Sequence, residues 1–98
     1  MEQLENQQLQ LEIEPGLADG TYSNLTIIAH SLSEFVIDFA RIMPNTLKAK
    51  VKSRIILTPE HAKRLMLSLQ DNIAKFEQKH GRINLNNPSM PVLEGSDD

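Results

Sequence analysis

The spacing of apolar and polar residues changes period along this chain. Leu9, Leu11 and Ile13 alternate with Gln10, Glu12 and Glu14. A period of two places apolar side chains on one face of a strand. Pro15-Gly16 ends that alternation, and Ala18-Asp19-Gly20 gives a second turn signal. Residues 22–30, Tyr-Ser-Asn-Leu-Thr-Ile-Ile-Ala-His, are rich in β-branched and aromatic types and predict a second strand. There Leu25, Ile27 and Ala29 face one side, and Thr26, Ile28 and His30 the other. Residues 34–43 fit two periods. Ser31 and Glu34 have capping-box spacing, and Phe35, Phe39, Ile42 and Met43 share a helical face. Alternation instead sets Phe35, Ile37 and Phe39 against Val36, Asp38, Ala40 and Ile42. The residue types and the short link to the preceding strand favour a strand.

Pro44-Asn45 marks a turn, and residues 48–57 then alternate cleanly. Ala49, Val51, Ser53, Ile55 and Leu57 face one way; Lys48, Lys50, Lys52, Arg54 and Ile56 face the other. At Thr58 the period lengthens. Ala62, Leu65, Met66, Leu69, Ile73 and Phe76 recur at helical steps through residue 80. Thr58 suits the N-cap, Pro59 the first helical position and Glu60 the positive dipole end. Lys75, Lys79 and His80 suit the opposite end, and Gly81 suits the position just past it. At ~1.5 Å per residue the helix reaches about 33 Å, long enough to lie along a sheet.

These elements predict an α+β fold: a four-stranded antiparallel sheet followed by one long C-terminal helix packed on one face. The expected domain spans residues 9–82, with a flexible N-terminus at 1–8 and a flexible acidic tail at 83–98. The helix would cover the face carrying Leu25, Ile27, Phe35, Ile37, Phe39, Val51, Ile55 and Leu57. The other face would carry Ile28, Val36, Ala40, Ile42 and Ile56 beside Asp38 and Arg54. A clustered apolar surface of that kind usually marks an interface. One helix cannot cover two faces, so a homo-oligomer, dimer or tetramer, is expected, with Asp38 and Arg54 in reach of pairing.

Composition narrows the chemistry. The chain has 98 residues and no cysteine, so disulfides, thiolate metal sites and thiol catalysis are excluded. No apolar run is long enough for a membrane span, and no signal peptide is visible, so a cytoplasmic protein is expected. Charge is segregated: −7 over residues 1–40, +7 over 41–82 and −3 over 83–98. Such asymmetry can mark a nucleic-acid surface, or acidic and basic elements lying side by side.

No catalytic constellation emerges. His61 has no nucleophile at a defined spacing, and His30 reads as a turn residue at a strand end. Glu77 and His80 have the spacing of a bridged metal site but lack the further carboxylates such sites need. The four glycines are isolated, so no phosphate-cradling loop forms. The expectation is a non-enzymatic protein with no cofactor, metal or small-molecule substrate, which binds itself and other proteins in a chaperone-like way. The alternative is nucleic-acid binding through Arg41, Lys48, Lys50, Lys52 and Arg54, the last four forming one row along a strand.

From Tyr22 to Gly81 the chain resembles a small bacterial family, domain of unknown function 3467. The matching stretches are Ser23-Asn24-Leu25, His30-Ser31, Glu34 to Phe39, Pro44 and, above all, Ser53 to Leu65. The resemblance implies a short bacterial cytoplasmic protein and carries over no catalytic residue. The order of strands and a long helix also looks, in outline, like the export chaperone SecB.

Overall fold

The computed structural model describes residues 8–85. The expected flexible segments 1–8 and 83–98 fall outside that range, apart from residues 8 and 83–85. Among the described residues a short 3-10 turn (Pro15–Leu17) is followed by three strands and one α-helix: β1 (Leu25–His30), β2 (Phe35–Ile42), β3 (Ala49–Leu57) and α1 (Pro59–His80). The strands form one antiparallel sheet in the order β1-β2-β3.

Residues 34–43 therefore resolve as a strand, within a hairpin. The Ser31 N–H donates to the Glu34 carbonyl at 2.9 Å, closing the link between β1 and β2. The Ser31 hydroxyl accepts from the Ser33 N–H at 3.2 Å, so the capping-box serine organises a turn instead of a helix start. Beyond β2, Asn45 adopts φ 65° in the turn leading to β3. Asparagine tolerates that left-handed region better than most residues.

Residues 9–13 correct the sequence reading, because they form no strand. Period-two alternation shows which face would be apolar; it does not supply a neighbour to share hydrogen bonds. Among the described residues no strand pairs with them. Leu9 and Leu11 are 86% and 92% exposed. The sheet has three strands where four were expected.

The helix follows its sequence signals closely. The Thr58 hydroxyl accepts from the His61 N–H at 3.1 Å, and Pro59 occupies the first turn with Glu60. Gly81 ends the helix at φ 96°, a conformation that favours glycine, and its N–H donates to the Glu77 carbonyl. The Glu77 carboxylate then accepts from the Ile83 N–H at 2.9 Å, tying the chain beyond the helix back to its last turn. On the outer surface Glu60–Arg64 and Asp71–Lys75 form ion pairs one turn apart.

Packing is thin. Among the described residues only Ile37 and Ala40 form a buried apolar core. Leu9, Leu11 and Ile13 are exposed, and Leu69 and Phe76 of the helix stripe are about half-exposed, so much apolar side-chain surface of the described residues stays in water.

Candidate interaction surfaces

The strand register decides which side chains share a surface. Ile28 lies opposite Ile37 and His30 opposite Phe35, while Phe35, Ile37 and Phe39 lie opposite Leu57, Ile55 and Ser53. Directly opposed residues occupy the same face. This face meets the first half of α1. Between them lies an open apolar cleft of about 620 Å³, lined by Ile28, Phe35 and Ile37 from the sheet and by Ala62, Leu65, Met66 and Leu69 from the helix. Beyond Leu69 another hollow is lined, among the described residues, by Met66, Leu69, Gln70 and Ile73 of α1. Leu69 and Phe76 are 55% and 50% exposed. The second half of the helix stripe thus lacks the cover that its sequence period implies.

The opposite face carries Leu25, Ile27 and Ala29 of β1, which lie opposite Ala40, Asp38 and Val36. The expected interface set is therefore divided. Val36, Ala40, Ile42 and Ile56 share this face, whereas Ile28 belongs to the cleft beside α1. Leu25 and Ile27 exchange places with it. Alternation alone could not set this phase, because β1 is apolar on both faces and the hairpin turn fixes its register.

Asp38 and Arg54 are cross-strand partners on this face. Arg54 Nε and Nη2 donate to the two Asp38 carboxylate oxygens at 2.7 and 2.8 Å. The Asp38 side chain is 13% exposed and that of Arg54 63% exposed, so the guanidinium still reaches solvent. The hydrogen bonds from Arg54 hold the Asp38 carboxyl below the usual carboxylate range, partly opposed by burial. The same pairing raises Arg54.

The basic row is corrected by a bulge. Between Phe39 and Ala40 the β2–β3 register shifts, so that Ser53 opposes Phe39, Val51 opposes Ala40 and Lys52 is the extra residue. A bulge resets the alternation of one strand. Lys50 consequently lies opposite Arg41, on the face of Phe39, while Arg54 lies opposite Asp38 on the other face. The four bases do not form one line. Arg41 and Lys50 are brought together instead, and the Arg41 guanidinium lies over the Tyr22 ring, 5.4 Å from its centroid. Lys48 and Lys50 border a shallow hollow with Met43 and Thr46. The sequence reading placed Tyr22 at the start of a strand and gave it no role; the strand begins later, at Leu25, and Tyr22 precedes it.

A polar latch at the start of β1 was also missed. The Ile42 N–H donates to Asn24 Oδ1 at 2.7 Å, and Asn24 Nδ2 donates to the Ile42 carbonyl at 3.4 Å. The Asn24 side chain thus imitates one more residue of strand pairing. The Ala40 carbonyl accepts both the Asn24 N–H and the Ser23 hydroxyl. The pairing of Ser-Asn with a following apolar strand was the available signal.

The imidazoles serve packing and capping positions. His30 stacks on Phe35 with centroids 5.3 Å apart, and His80 lies against Phe76 at 4.9 Å. Glu77 is engaged with the Ile83 N–H. Among the described residues no group of three or more His, Asp or Glu side chains could hold a metal ion, and no helix is long and apolar enough to cross a membrane.

A family model described as Protein of unknown function (DUF3467) matches residues 1–85, extending the stretch of resemblance in both directions. No curated protein and no solved structure matches the chain, so the SecB outline finds no support there.

Proposed function

We propose that this chain, which belongs to the DUF3467 family, is a non-enzymatic, self-associating module that binds proteins through apolar surfaces. One observation carries the reading. Only Ile37 and Ala40 are buried apolar residues among those described, while the α1 stripe and the cleft beside it stay open. A thin core with a large uncovered apolar flank is the pattern of a subunit, because association removes that surface from water. Protein clients would seat in the same cleft, in a chaperone-like manner. The resemblance read from the sequence implies a bacterial cytoplasmic setting, and the proposal keeps it.

Arg41, Lys50 and Tyr22 favour a second reading. An exposed aromatic ring under one base, Arg41, with a second base, Lys50, opposite Arg41 on the neighbouring strand, offers the stacking and phosphate neutralisation that single-stranded nucleic acids use.

The two readings separate in a pull-down with tagged full chain, co-expressed with an untagged copy, at low and high salt. Retention of the untagged copy at high salt supports self-association. Capture of nucleic acid alone, lost as salt rises, replaces it with the second reading.

A further inference from the structure

We propose that residues 9–14 of one copy pair with the free edge of β3 in a second copy, as an added antiparallel strand. The inference rests on the self-association reading and names its contact. Three observations carry it. The segment has the alternation of a strand, yet Leu9, Leu11 and Ile13 are 86%, 92% and 66% exposed and no strand among the described residues pairs with them. Among the described residues β3 pairs only with β2, which leaves its outer edge as an unpaired ladder within the sheet. The charges are complementary: Glu12 and Glu14 stand in the segment, while Lys52 and Arg54 stand in β3 and β1 carries no Lys or Arg.

One antiparallel register satisfies all three. It sets Leu9, Leu11 and Ile13 opposite Leu57, Ile55 and Ser53, on the side of the sheet that α1 occupies. It sets Glu12 opposite Arg54 and Glu14 opposite Lys52 on the other side, where the exposed Arg54 guanidinium already holds Asp38. Slipping the register by one residue turns the acids toward the helix side and the leucines away from it. The fit also ends where it should. Pro15 follows Glu14, and the β3 bulge falls at Lys52, so both partners lose regular pairing at the same point. Reciprocal exchange gives a closed two-fold pair in which each copy donates one strand and accepts one.

The test uses the full chain, with Glu14→Lys, Lys52→Glu, the double variant and Leu11→Pro compared by sedimentation velocity over a concentration series. Each charge reversal should weaken the dimer about tenfold, since every contact occurs twice and like charges then face each other. The double variant should recover wild-type affinity to within about threefold. Amides of residues 9–14 should gain hydrogen-exchange protection in the dimer. If the wild-type chain dimerises while residues 9–14 exchange freely and Leu11→Pro leaves affinity unchanged, the strand exchange is wrong and self-association stands. If the wild-type chain is monomeric at every concentration, both fall.

Discussion

Leu69 offers a quantitative separation between folding and association. It sits midway along the α1 stripe, lines both the sheet cleft and the hollow beside Gln70 and Ile73, and is 55% exposed. Leu69→Glu changes helix propensity little, so the effect falls on burial. Full burial of a leucine side chain contributes about 1.5–3 kcal/mol, so the 45% already covered in the lone chain corresponds to about 0.7–1.4 kcal/mol. That is the expected loss in monomer stability, read from urea unfolding at a concentration below the dimer Kd. In the proposed dimer the remaining 55% would be covered, and in two copies. It corresponds to about 1.6–3.3 kcal/mol of dimer stability, or roughly a 15- to 250-fold rise in Kd. The Kd is read from sedimentation velocity across a dilution series. An unchanged Kd with the predicted small folding loss would remove the helix stripe from the interface. A folding loss above about 3 kcal/mol would show that Leu69 is already enclosed in the lone chain and would refute the premise.

Three further outcomes are expected. Asn24→Ala leaves the Ile42 N–H without the acceptor at 2.7 Å and should lower stability by about 1–2 kcal/mol; an unchanged urea midpoint would show that the latch contributes nothing. Thr58→Ala removes the acceptor for the His61 N–H at the start of α1 and should cost about 1 kcal/mol, with the loss confined to helix content if α1 frays separately from the sheet. The Asp38 carboxyl is held low chiefly by hydrogen bonds from Arg54, and Glu60 is held low by Arg64. A lowered carboxyl contributes stability that is present above its unfolded value and lost as pH falls through the folded one, so the loss lies below about pH 4. Asp38→Asn should therefore flatten the acid limb of stability against pH, and a variant with the wild-type slope would contradict this.

The parts of the fold that were legible share one property: their signals are local. Thr58, Pro59, Glu60 and Gly81 each act within a turn of their own position, and α1 begins and ends where they predict. The strand character of residues 34–43 followed from residue types and a short link. What failed depended on a neighbour. Residues 9–13 had the period of a strand but no partner strand among the described residues. Ile28 was assigned to the open face because β1 is apolar on both sides, and only pairing with Ile37 settles its phase. The basic row assumed an unbroken β3, and the extra residue at Lys52 separates Lys50 from Arg54. The Asp38–Arg54 pairing was anticipated because both residues sat on one expected face and carried opposite charge. Tyr22 and Asn24 act through cross-strand contacts that no one-dimensional period reports.

The central claim is that a lone chain leaves its apolar helix flank uncovered and that a second copy completes it. Light scattering coupled to size exclusion measures this most directly, on the full chain from micromolar concentration upward. The account predicts a mass of at least twice 11.1 kDa that falls on dilution. A mass of 11.1 kDa throughout the range would contradict it.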